Sequence, residues 1–385
     1  MTSPDWKALR AEFPTLRNWN YLDSARKTIA PRCQEQAMQE YTRDVYENAG
    51  ADAWSALNVG TTRTELAELL GCAPRELAFT KNTTDGLNIA AHAFDLKAGD
   101  NIVLTNMEHI ANIWVWKHWE KRGVEIRYAQ NQEGRLPLSV FQEKVDARTK
   151  VISTAYVTYG NGYRVNLPEL GAFCRERDIR LVVDGVQAAG ILSAPLSSLN
   201  ADIIAIGGHK SLFGLTGSGV VYCRDELVDT IVTPFVKEPA GLNVKAHANS
   251  QFDYVRVAHR FEGGNPNFLG IRVLRRGAQF VSSVGVQHIE SRVRELTAHC
   301  LKLVKKAGLK TLTPENWEER AQIVNVLVDD APRVMDALKE KHRTIVNVKD
   351  DAIRISVGFF NNEEDLDKAV HAIAQETRGK AAVAA

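Results

Sequence analysis

Lys210 closes the segment Ala201-Asp202-Ile203-Ile204-Ala205-Ile206-Gly207-Gly208-His209-Lys210, where an apolar run stops at two glycines and a His-Lys pair. An amine at the mouth of a sheet can form a Schiff base. Burying its ammonium without a partner is costly, so such a lysine tends to shed its proton, and the neutral amine is the nucleophile that imine chemistry requires. By itself the pair also reads as a solvated loop. Leu181-Val182-Val183-Asp184-Gly185-Val186-Gln187 is an apolar strand ending in a carboxylate able to protonate and hold a pyridine nitrogen, with Gln187 able to donate to a ring oxygen. Alone, Asp184 reads equally as a helix N-cap.

Two further segments supply complementary chemistry. Phe79-Thr80-Lys81-Asn82-Thr83-Thr84 follows a strand and opens a helix, so Asn82, Thr83 and Thr84 put side-chain polar groups and free N–H groups at a positive helix end. That is a phosphate site in physical terms, although the same residues would cap a helix without a ligand. Thr105-Asn106-Met107-Glu108-His109 ends a further strand in an imidazole that can lie over a planar cofactor, or serve as an ordinary hydrogen-bonded histidine. A phosphate cradle, an aromatic cover, a pyridinium partner and an amine together describe pyridoxal 5′-phosphate.

The elements that must position these groups follow from hydrophobic patterning. Between about 60 and 235, short apolar runs alternate with helical patterns, which predicts crossover units around a mostly parallel sheet. Seven strands are expected, at 76–80, 101–105, 124–129, 151–155, 180–183, 203–206 and 219–223, with helices at 61–70, 86–93, 110–122, 138–145 and 168–177. Ligands bind such sheets beyond the carboxyl ends of their strands, which is where all four groups fall. Farther on, long amphipathic patterns at 270–284 and 287–307 precede strands at 323–328 and 352–356 and a last helix at 363–374. The fold class is α/β, with a large cofactor-binding domain at 15–245 and a smaller α+β domain formed by 1–14 and 246–385.

Composition excludes several alternatives. With 48 Lys and Arg against 47 Asp and Glu, the formal charge is +1, so no global field recruits nucleic acid or an anionic membrane. No apolar run reaches the ~18 residues of a membrane span. The five cysteines, Cys33, Cys72, Cys174, Cys223 and Cys300, are scattered and never spaced as Cys-x-x-Cys. Neither a disulfide framework nor a metal site is expected, and a reducing cytoplasm is the natural compartment.

The sequence resembles the class V aminotransferase and cysteine desulfurase group of fold-type I pyridoxal-phosphate enzymes over nearly the whole chain. Tyr21-Leu22-Asp23-Ser24-Ala25, Asn82-Thr83-Thr84, Met107-Glu108-His109, Asp184-Gly185-Val186-Gln187, His209-Lys210 and Arg260-Phe261-Glu262-Gly263-Gly264-Asn265-Pro266-Asn267 are similar to its motifs. The resemblance implies that Lys210 carries the Schiff base, that His109 stacks on the ring, and that His209 is a phosphate ligand. It implies that Asn265 reaches the phosphate of a neighbouring subunit, hence a homodimer with active sites at the subunit interface. Arg354, in Ile353-Arg354-Ile355-Ser356, matches the arginine that grips the substrate α-carboxylate.

Departures from the group are informative. Its desulfurases carry a nucleophilic cysteine shortly before that arginine, whereas Lys341–Asp350 here is short and lacks one; the nearest, Cys300, falls inside an expected helix. Gly207 replaces a common serine, Asn265 a common threonine, and Val157 a desulfurase asparagine. Arg26 stands where the N-terminal motif commonly has alanine, and its planar fork suits a distal acid of the substrate; a salt bridge or a solvent-facing position is the alternative. Without the loop cysteine, the expected reaction on the amino-acid substrate is epimerisation or β-eliminating C–S cleavage, as in the isopenicillin N epimerase-like and cystine lyase-like branch. Transamination of an acidic amino acid is the runner-up. A catalytically inactive cofactor-binding partner protein is a third reading, against which the set Lys210, Asp184, His109 and Arg354 argues.

Overall fold

The computed structural model describes residues 4–232, 256–349 and 351–378. The segment 234–255, which carries no readable specificity code, and the expected boundary at 245/246 lie outside the described residues, as does Asp350.

Seven strands form the central sheet: β2 (Leu77–Thr80), β3 (Asn101–Thr105), β4 (Glu125–Ala129), β5 (Thr149–Ala155), β6 (Arg180–Asp184), β7 (Ile203–Gly207) and β8 (Gly219–Cys223). Their spatial order is β2-β8-β7-β6-β5-β3-β4. Only β8 runs against its neighbours; the remaining contacts are parallel. Strand side chains alternate between two cores. Leu181, Val183, Ile204 and Ile206 enter one, and Val182, Ile203 and Ala205 the other. Burial on both faces explains why these strands read as continuous apolar runs.

Helix starts are set by local chemistry. Asn82 Oδ1 accepts from Asp85 N at 2.9 Å and caps the helix Thr83–Ala93. His109 Nδ1 accepts from Ala111 N at 3.2 Å and caps Ile110–Lys117. This second helix is shorter than the 110–122 pattern because its last turns tighten into a 3₁₀ segment, His118–Arg122, ended by Gly123 at φ 80°. A polar helix, Arg32–Glu47, was not evident in the hydrophobic pattern; Ala37 is its one buried residue.

A smaller C-terminal sheet, in the order β11-β12-β9, joins β9 (Ile323–Leu327), β11 (Asn347–Lys349) and β12 (Ala352–Ser356) in antiparallel fashion. The chain start is tied to it, since β1 (Asn20–Tyr21) pairs with β10 (Thr344–Ile345) and Ser356 N donates to Leu22 O at 2.8 Å. The stretch before Arg354, expected to be a loop, is therefore two short strands. Phe13 packs within 6.0 Å, centroid to centroid, of Phe213, Phe280, Phe359 and Phe360, joining the N-terminal segment to both parts of the molecule.

The edge strand β2 and the turn after Lys210 are both held by the C-terminal half. Glu262 Oε1 accepts from Phe79 N at 2.8 Å and from Arg63 Nη1 at 2.5 Å, while that same arginine nitrogen donates to Leu77 O. Side chains thus satisfy an otherwise open sheet edge. The helix Phe268–Val284 lies so close to the turn that a Cβ on Gly277 would run into the Leu212 carbonyl oxygen. Gly277→Ala is expected to destabilise the protein by about 1–3 kcal/mol through overpacking and to loosen the turn holding Lys210. Denaturant unfolding and cofactor retention check this, and an unchanged midpoint would contradict it.

Candidate active site

The carboxyl ends of β2, β3, β5, β6 and β7 open onto one cavity of about 230 Å³. Its lining includes Asn82, Thr83, Thr84, His109, Asp184, Gln187, His209, Lys210, Arg26 and Arg354, so ten of the eleven residues singled out from sequence converge. Asn265 does not. It lines a separate cavity between the Phe79–Lys81 turn and Gly217–Gly219, outside the group that its own chain assembles.

Lys210 follows β7 and is only partly exposed. Burial is the main cause that lowers its pKa, to about 8; Asp184 and Asp23 oppose the shift, and Arg354 and Lys349 add to it. About a tenth of the amine is thus neutral at pH 7, far more than for an ordinary lysine. Asp184 ends β6, is 5% exposed, and accepts from Val186 N at 3.0 Å, so it makes the expected turn contact while lining the cavity. Burial raises its pKa, opposed by that N–H and by the charge of Lys210.

His109 combines its capping bond with a place in the cavity wall. Its ring meets Tyr159 edge-on, with centroids 5.4 Å apart. Desolvation, then Lys210, Lys349 and Arg354, lower its pKa; Nδ1 acts as an acceptor, so the neutral ring carries its proton on Nε2 as assigned from this contact. Gln187 is less free than the sequence reading allowed. Its Nε2 donates to Ala25 O at 3.0 Å and its Oε1 accepts from Gln322 at 3.1 Å.

The phosphate end has a shape of its own. Burial, then Lys210 and Lys27, push the His209 pKa down to about 4, and its buried Nδ1 has no hydrogen-bond partner. A Cβ on Gly207 would stand 2.9 Å from Thr83 Oγ1 and 3.1 Å from His209 Cε1. A ring nitrogen without a partner that can donate when it carries the proton, a bare backbone and the N-terminus of the helix Thr83–Ala93 therefore surround one space. Together with Lys210 and Asp184, this donor set fits pyridoxal 5′-phosphate.

Arg354, on β12, is 2% exposed. Its Nη2 meets Asp23 Oδ1 at 3.0 Å and its Nη1 donates to Tyr159 O at 2.9 Å. Sequence reasoning assigned the arginine but missed both partners, together with Lys349, which lines the cavity with its Nζ 5.8 Å from the Tyr159 ring centroid. Glu108 was also missed. It is 4% exposed and accepts from Thr105 Oγ1 at 2.7 Å, Asn112 Nδ2 at 2.8 Å and Ala155 N at 3.1 Å. Burial raises its pKa to about 7 despite these donors, with Asp184 adding to the rise. Its place between Met107 and His109 was the available signal.

Comparison with known proteins now identifies the family. The model for aminotransferase class-V matches residues 20–369. The chain belongs to the class-V aminotransferase family. This class-V chain is 29% identical over 406 residues to a probable cysteine desulfurase of Xylella fastidiosa, with 97% of the chain and 95% of the relative covered. Among solved structures, the apo cysteine desulfurase of Thermococcus onnurineus superimposes with a TM-score of 0.87 at 24% identity, covering 98% and 99% of the two chains. The cystine C–S lyase C-DES, in complex with its product cysteine persulfide, gives 0.85 at 21%, covering 94% and 99%. At these identities the two structures establish the fold. Pyridoxal 5′-phosphate is the cofactor of the site.

The lowered pKa of Lys210 has a direct consequence. Only the neutral amine condenses with an aldehyde, so the rate of cofactor uptake by apoprotein should rise with pH through about 8 and level off above it. Stopped-flow uptake measured across this range checks the expectation; a rate still climbing near pH 10 would place the amine at its ordinary value.

Proposed function

We propose that this protein is a pyridoxal-phosphate enzyme that removes the Cα proton of an amino acid and cleaves a β C–S bond without passing sulfur to a protein cysteine. The observation that carries the reading is the lining of the cavity, which contains an amine, a buried carboxylate, an imidazole and an arginine but no thiol. All five cysteines lie among the described residues and none lines that cavity. Cys300 is wholly buried in the helix Val286–Lys306, where desolvation raises its pKa to about 12. A thiol so placed is a poor acceptor of sulfur.

When bound, pyridoxal 5′-phosphate supplies a carbonyl that condenses with amines and a sink for the Cα electrons. Lys210 would hold the cofactor through its amine and, when free, would take the proton from Cα. Asp184 would keep a ring nitrogen protonated, and the N–H groups of Thr83 and Thr84 would hold the phosphate. His109 would cover the ring, and Arg354 would orient the substrate by its α-carboxylate. Loss of the β-substituent takes the C–S electron pair with it, so no oxidant or reductant is needed. Similarity to a probable cysteine desulfurase and to a cystine C–S lyase favours a sulfur-bearing substrate. A second reading, transamination of an acidic amino acid, is favoured by the cations Arg26 and Lys349 in the cavity wall.

The test is a panel of amino acids followed by keto-acid detection, sulfide release and chiral analysis. S-substituted cysteines should yield a keto acid and a sulfur product while the protein mass stays unchanged. An added sulfur on a cysteine peptide would overturn the reading, and inverted substrate without keto acid would establish epimerisation instead. Lys210→Ala should abolish covalent cofactor attachment and lower the rate by at least about 10²-fold.

The assembly is part of the proposal: two copies pair so that Asn265 of each faces the partner's phosphate. Exposed Tyr46, Trp54 and Leu57 support an apolar contact surface. Sedimentation should give twice the 42.7 kDa chain mass, and a monomer retaining full activity would contradict it.

A further inference from the structure

The cavity wall carries more positive charge than the proposed chemistry uses. Four of its lining residues are cationic, Arg26, Lys210, Lys349 and Arg354, against the single carboxylate of Asp184. Lys210 is consumed by the cofactor, and Arg354 is balanced by Asp23. Arg26 and Lys349 remain. Among the described residues no carboxylate lies within ion-pair distance of either side chain.

Both residues flank Arg354 by construction of the fold. Asp23, three residues before Arg26, accepts from Arg354 Nη2 at 3.0 Å and from Asn347 Nδ2 at 3.1 Å. Lys349 ends β11, whose Asn347 is the register partner of Arg354 on β12. The Lys349 ammonium is steered over the face of Tyr159, whose carbonyl takes Arg354 Nη1. Two cations without an ion-pair partner among the described residues therefore line the same cavity as Arg354, one on the N-terminal turn and one on the small sheet.

We infer that Arg26 and Lys349 form a second anion-binding subsite, which selects amino acids whose side chain ends in an acidic group. The inference rests on the Cα chemistry proposed above, with the α-carboxylate on Arg354. Arg26 offers a planar fork to a carboxylate or a sulfur oxyacid, and Lys349 a mobile point charge whose stem the Tyr159 ring supports. For a C–S cleaving enzyme the acid lies beyond the sulfur; for a transaminase it is the distal carboxylate. Neutral side chains would find no partner for either cation, so discrimination arises from the attraction that an acidic side chain gains.

The experiment uses the cofactor-loaded protein and two unreactive probes, glutarate and butyrate, with binding followed by calorimetry. Wild type should bind the diacid more tightly, and Arg26→Ala and Lys349→Ala should each reduce the diacid-to-monoacid affinity ratio by about tenfold. Arg26→Lys, which keeps the charge, should recover part of that ratio. Equal affinity of wild type for the two probes, or variants that leave the ratio unchanged, overturns the inference. A rise in the cofactor dissociation constant of Arg26→Ala with an unchanged ratio would make Arg26 a phosphate ligand and equally overturn it. Failure of wild type to take up cofactor sinks the proposed function instead, so the two failures are distinguishable.

Discussion

A guanidinium cannot be buried alone, and the pairing of Arg354 with Asp23 is the constraint on which the site's geometry depends. Their side chains are 3% and 2% exposed, and removing one partner of such a pair typically costs ~3–5 kcal/mol because the other charge is stranded. The pair draws three distant pieces of chain together: the N-terminal turn through Asp23, the small sheet through Arg354 and Asn347, and the large-sheet loop through the Tyr159 carbonyl. Backbone pairing reinforces it, since Ser356 N donates to Leu22 O and Ser24 N to Ser356 O immediately beside it. The placing of a guanidinium in the cavity wall and the interlocking of the two sheets therefore share one interaction.

The same economy of charge governs the cavity floor. Burial disfavours the ammonium of Lys210 and the carboxylates of Asp184 and Glu108 alike. Glu108 stands behind Ala155, whose register partner is Asp184, so two buried carboxylates lie close together, and Lys210 is the cation that bears on Asp184. A ligand with a basic ring nitrogen and an electrophilic carbon meets these needs simultaneously, accepting a proton near Asp184 and neutralising the amine by condensation.

Much of this arrangement was legible in the sequence because it is local. Lys210, Asp184, His109 and Thr83 each sit at the end of an apolar strand, and strand ends on one side of a parallel sheet necessarily face one crevice. What escaped was decided by tertiary contacts. Tyr159 enters the site through a turn closed by Thr158 and Asn161, and Lys349 through a strand of three residues whose neighbours look like a polar loop. Arg32–Glu47 is polar on average, and its narrow stripe of Cys33, Ala37, Tyr41 and Val45 was hidden among charged residues. Asn265, read through resemblance, lines a cavity separate from the one that its own chain's other candidate residues share.

The antiparallel strand β8 sets the order in which the site can be built. It separates β2 from β7, so the strand that delivers Thr83 and Thr84 has no sheet neighbour until β8 has left the ribosome. At its near end Gly219 lies beside both Thr80 and Gly207, a row almost free of side chains beneath the helix N-terminus. Long-range pairing of this kind is slow and leaves an early strand edge open to wrong partners. Chains interrupted before Cys223 would hold the Asp184 strand in its neighbours' company but no floor for the phosphate, making the cofactor cradle the last part of the large sheet to exist.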